Sequence, residues 1–63
     1  MPLVTVTLEG LDRVKHGREL TPAHVTGPLP GAALHCRLAD PAGALVAVGH
    51  VRGGFLHPVV VLM

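Results

Sequence analysis

Asp40-Pro41-Ala42-Gly43 and Arg52-Gly53-Gly54 divide the second half of this sequence into three apolar segments, residues 33–39, 44–51 and 55–62. No other feature constrains the fold as tightly. Proline fixes φ at the second position of the first turn and glycine closes it at the fourth, while paired glycines turn the chain again. Strands at intervals of about ten residues joined by such turns indicate a small antiparallel barrel or meander. Within residues 33–39, Leu34, Cys36 and Leu38 alternate with His35 and Arg37, so the apolar set shares one face. Val59-Val60-Val61-Leu62 does not alternate. A strand apolar on both faces needs cover on both, which a sheet of this size can hardly provide. This strand is therefore expected to pack on a second domain or on a copy of itself, and to be an association-prone edge when free.

The first half reads differently. Residues 4–8 form a β-branched run that suits a strand. Leu8, Leu11 and Val14 then recur at every third position, which predicts a short helix over residues 9–16. Glu9 and Asp12 come early in it, and Arg13, Lys15 and His16 late, the order that a helix macrodipole favours. Thr7 suits the N-cap, and Gly17 the left-handed position past the end. Pro22, Gly27, Pro28, Pro30 and Gly31 predict a loop over residues 21–31. The expected fold class is mainly β with one short α-helix, one domain over residues 1–63.

Composition narrows the function. A chain of 63 residues buries only about 60% of its extended surface, so its core is thin and a deep pocket of its own is not expected. An apolar content of 49% with a net charge of +1 is too hydrophobic and too neutral for disorder. The longest apolar runs, residues 44–48 and 59–63, are far short of the roughly 20 residues that a spanning helix needs. Pro2 and Leu3 after Met1 lack the pattern of a secretory leader, and the single Cys36 cannot form an intrachain disulfide. A cytoplasmic location is the expectation. The bias toward Gly, Ala, Pro, Val, Leu and Arg, which have G- and C-rich codons, points to a high-GC bacterial source. The absence of Asn and Gln suits a heat-tolerant organism.

Catalytic and metal chemistry find little support. His16, His24, His35, His50 and His57 are scattered without ligand spacing, which favours solvated or core-edge histidines over a metal site. Cys36 lies on the apolar face and reads as a small buried hydrophobe rather than a nucleophile. Glu9, Asp12, Glu19 and Asp40 suggest no acid/base pair, and Gly53-Gly54 lacks the helix that a phosphate loop requires. No cofactor is expected. Arg13, Lys15, His16 and Arg18 form the one concentration of charge; by composition alone this is a solvated helix end.

Three motifs in order add to that reading. Residues 2–8 lead into a helix that closes on His16-Gly17-Arg18-Glu19-Leu20. Pro30-Gly31 precedes the segment that holds Cys36. Pro41-Ala42-Gly43-Ala44-Leu45-Val46-Ala47-Val48-Gly49 then runs through the paired glycines into Phe55-Leu56-His57-Pro58 and the aliphatic end. Together they resemble the C-terminal PUA-type domain of bacterial tRNA pseudouridine synthase B, over essentially the whole chain. The resemblance implies a small PUA-like pseudo-barrel that binds tRNA, at the T arm and acceptor stem, for an enzyme isomerising a T-loop uridine. It implies RNA contacts at Lys15, His16, Gly17, Arg18 and His57, with Arg13 and Arg52 near them. Two departures stand out. Val59, Val60 and Val61 follow Pro58 where many relatives carry arginines, and nothing matches the catalytic aspartate strand. The chain is therefore expected to be catalytically inert, either as the C-terminal part of a larger enzyme with an upstream catalytic domain or as a small stand-alone relative. The alternative is a docking domain that packs on a catalytic domain or a homodimer mate through Val59, Val60, Val61 and Leu62.

Overall fold

Thr7 ends the first strand and begins the helix. Its backbone is extended, and its hydroxyl accepts a hydrogen bond from the Gly10 amide at 3.0 Å, satisfying one of the helix's orphan donors. The computed structural model describes residues 1–31 and 35–62. In it β1 is Leu3–Val6 and α1 is Leu8–Lys15, so Leu8 belongs to the helix rather than to the strand.

The buried stripe of α1 also differs from the every-third pattern. Gly10 and Val14, four apart on one face, are the buried positions, with Leu11 packed partly against the core. Leu8 is 75% exposed. Glycine is what allows this approach: a Cβ on residue 10 would collide with the carbonyl oxygen of His24.

Residues 21–31 are not all loop. Thr21 caps a 3₁₀ turn, Pro22–His24, and β2, Val25–Thr26, pairs antiparallel with β1 through Thr5 opposite Thr26 and Val6 opposite Val25. His24 is buried there, its Nδ1 accepting the Thr21 amide at 3.0 Å. Two residues are too few to leave a strand pattern in a stretch crowded with proline and glycine.

The C-terminal half follows its turns. β3 is His35–Ala39, β4 is Leu45–Arg52 and β5 is Phe55–Val61, each antiparallel to the next. Residue 33 and Leu34, placed in the first of the three apolar segments by the sequence pattern, lie outside the described residues. Asp40 shapes the first turn: its carbonyl accepts from Gly43 at 2.9 Å, and its carboxylate accepts from the amides of Ala42 and Ala44. Gly53 and Gly54 both adopt positive φ, as a two-residue hairpin requires.

The sheet is mixed rather than antiparallel throughout. β1 runs parallel to β3, with Leu3, Val4 and Thr5 opposite Arg37, Leu38 and Ala39, giving the order β2-β1-β3-β4-β5. The helix and the 3₁₀ turn carry the chain away between β1 and β3, which leaves room for a parallel return. On one face Val4, Val6, Cys36, Leu38, Ala47, Val51 and Leu56 join Val14 of the helix in the core.

Register shifts explain the aliphatic end of β5. Val48 faces Val60 and Gly49 faces Pro58, so Val59 is an extra residue on the edge strand. Val59, Val60, Val61 and Leu62 are 58%, 49%, 38% and 55% exposed. Among the described residues, no helix is long and apolar enough to cross a membrane.

Candidate nucleic-acid interface

The end of α1 is a glycine-terminated cap. The Gly17 amide donates to the Val14 carbonyl at 3.0 Å and the Arg18 amide to the Arg13 carbonyl at 2.9 Å, with Gly17 at φ +66°. This pair of bonds is the Schellman arrangement, and it turns the chain sharply off the helix. Nothing lies within 4 Å of the space where a Gly17 side chain would project, so the backbone there is open.

After the turn the chain is pinned at both sides. The Arg13 guanidinium donates to the Glu19 carbonyl at 3.2 Å. Leu20 exchanges two backbone hydrogen bonds with Leu56, of 2.7 and 2.9 Å, along the free edge of β5. These contacts bring His57 beside the helix-end loop, with its Nδ1 3.9 Å from Glu19 Oε2. That separation exceeds a hydrogen bond, and an exposed pair of this kind contributes little stability.

Two shallow depressions share Arg13 and Arg18. One, of about 320 Å³, is lined also by Glu9, Asp12 and His16; the other, of about 380 Å³, also by Glu19 and His57. The first balances two guanidinium groups against two carboxylates. In the second, one carboxylate faces two guanidinium groups, so the cationic excess lies on the β5 side. His16 is drawn to its own helix, its Nδ1 2.9 Å from the Asp12 carbonyl.

Of the residues the sequence points to, Arg13, His16, Gly17, Arg18 and His57 gather at this helix-end corner. Lys15 is exposed on the last turn and lines neither depression, and Arg52 stands at the β4–β5 hairpin opposite Phe55. The acids Glu9, Asp12 and Glu19 share the corner, which net charge alone does not reveal. Their helical spacing gives the only hint: Glu9, Asp12, Arg13 and His16 are three or four apart, hence on one helix surface.

The structure also brings histidines together elsewhere. His35 is opposite His50, and His50 is opposite His57, in adjacent strands. The rings of His35 and His50 are 5.2 Å apart and tilted by 43°. Among the described residues, no three His, Cys, Asp or Glu side chains are grouped to hold a metal ion.

Cys36 is buried on the opposite face, its Sγ donating to the Gly49 carbonyl at 3.8 Å. Burial raises its pKa above the ordinary thiol value. The raised folded value means that the folded state holds this proton more tightly than the unfolded state. Its stabilising effect is complete below the unfolded pKa and is lost as pH rises through the folded one. At pH 8 a disulfide reagent should leave Cys36 unmodified in the folded protein and label it fully in denaturant. Rapid labelling without denaturant would show that the site opens readily.

No family model, curated protein or solved structure matches this chain.

Proposed function

We propose that this domain is an accessory RNA-binding module that holds tRNA for a T-loop pseudouridine synthase and does no chemistry itself. The observation that carries the reading is the joining of Arg13, Arg18 and His57 around one open corner beside the exposed Gly17 backbone. Guanidinium groups bind phosphate oxygens with two parallel hydrogen bonds, and a free backbone permits close approach of a sugar-phosphate chain. The resemblance to PUA-type domains supplies the substrate class. Recognition here is by phosphate and shape, with Lys15 adding charge at the rim.

The direct test is titration of the chain with a labelled T-arm hairpin and an unrelated hairpin across a salt series. With about two to four phosphates neutralised, affinity should fall by roughly 10- to 100-fold between 50 and 200 mM salt. The T-arm hairpin should bind tighter, and Lys15→Ala with Arg18→Ala should weaken it. Salt-independent binding, or none, would overturn the reading.

A second reading has its own observation. Val59, Val60 and Val61 on the edge strand and Leu62 just past its end are all exposed, so docking on a catalytic domain or a homodimer mate is the alternative. Loss of RNA binding together with concentration-dependent self-association would favour it.

A further inference from the structure

The outward face of β3, β4 and β5 differs in charge from the helix-end corner. These three strands contain Arg37 and Arg52 and no acidic residue. Three of the five histidines lie on them, and all three face outward: His35 precedes buried Cys36, His50 lies between buried Gly49 and Val51, and His57 follows buried Leu56. Cross-strand pairing sets His35, His50 and His57 in one row, with Phe55 and Arg52 paired two residues nearer the hairpin. His57 belongs to both surfaces, because it also lines the depression with Arg13 and Arg18.

We propose that this face is a base-stacking platform for single-stranded RNA, continuous with the helix-end corner through His57. Each element of the row matches what an unpaired strand presents. Imidazole and phenyl rings offer flat surfaces to bases, and any base has a π face to place on them. Arg37 and Arg52 flank the rings and meet phosphates without a competing carboxylate on the strands. Adjacent strands are about 4.8 Å apart, so the row from His57 to His35 runs about 10 Å and accepts two or three bases. The histidines lie side by side rather than converging, which suits a stacked ligand better than a single ion. A duplex would rest on the helix-end corner, and an unpaired extension would cross β5 onto β4 and β3.

The inference rests on the RNA-binding reading for its ligand class, and the test separates the two. The chain and a His35→Ala/His50→Ala variant are titrated with an unpaired oligouridine RNA and with the T-arm hairpin, each variant being checked by thermal melting. The expected result is a loss of at least about tenfold in oligouridine affinity, with hairpin affinity changed by less than about threefold. A His35→Phe/His50→Phe variant keeps the flat surfaces and should retain oligouridine binding. Undiminished oligouridine binding by the alanine variant would overturn the platform, and so would failure of the phenylalanine variant to retain it. Hairpin binding without oligouridine binding would overturn the platform alone. Oligouridine binding that depends on His35 and His50, without hairpin binding, would support the platform and remove the helix-end reading. If neither RNA binds, both fall.

Discussion

Replacing Gly10 by Ala is expected to destabilise this domain severely, although alanine is the better helix former. Propensity alone favours the change by about 1 kcal/mol. Against it stands the carbonyl oxygen of His24, which occupies the place a Cβ would take, with His24 Cβ and Leu20 Cδ2 each 3.2 Å away. The nearest obstacle is backbone, so rotating a side chain does not relieve it. Overpacking of this kind costs about 3 kcal/mol, which outweighs the gain in propensity. A domain of this size has roughly 3–9 kcal/mol of stability in all. A thermal melt should therefore show Tm lower by at least about 10 °C, or no cooperative transition. A higher Tm for the variant would mean that α1 does not rest on the 3₁₀ turn.

Leu56→Ala should be comparably damaging, for a different reason. Leu56 is fully buried, and its backbone holds Leu20 through both of that residue's hydrogen bonds. With no aromatic residue in the core, leucines are its largest side chains, and neighbouring valines reach poorly into the space left behind. Leucine-to-alanine changes at such sites cost about 2–5 kcal/mol. The effect should reach the helix-end loop, because Leu20 fastens that loop to β5. Denaturant unfolding should thus show a sharply lower midpoint, whereas Val60→Ala, on the exposed face, should stay within about 0.5 kcal/mol of the parent. Similar midpoints for the two variants would refute this account of the core.

What could be read from the sequence follows from the range of the forces involved. Thr7, Gly17, Asp40, Gly43 and the paired glycines act on their immediate neighbours, so the helix ends and the β3–β5 turns are legible without a structure. The parallel pairing of β1 with β3 is not, because nothing near Leu3 specifies a partner so distant in sequence. Leu8 misleads for a related reason: its spacing from Leu11 suits burial, yet the close packing of Gly10 on His24 rotates it to solvent. The charge at the helix-end corner was half legible. Arg13, His16 and Arg18 are neighbours in sequence, but Glu19 and His57 meet only because Leu20 pairs with Leu56. The histidine row is written in the sequence in a form that spacing along the chain conceals. His50 and His57 stand equally far from Gly53-Gly54, so a tight hairpin must set them face to face.

The strand nearest the amino terminus is an interior strand of the sheet, between β2 and β3. One of its edges can be filled early by Val25 and Thr26, but the other waits for Arg37, Leu38 and Ala39, more than half the chain further on. The β3–β4–β5 segment needs only short-range closures. Loop-closure entropy therefore falls unevenly across this sheet: the two hairpins of β3, β4 and β5 close cheaply, and the β1–β3 pairing carries the largest closure cost.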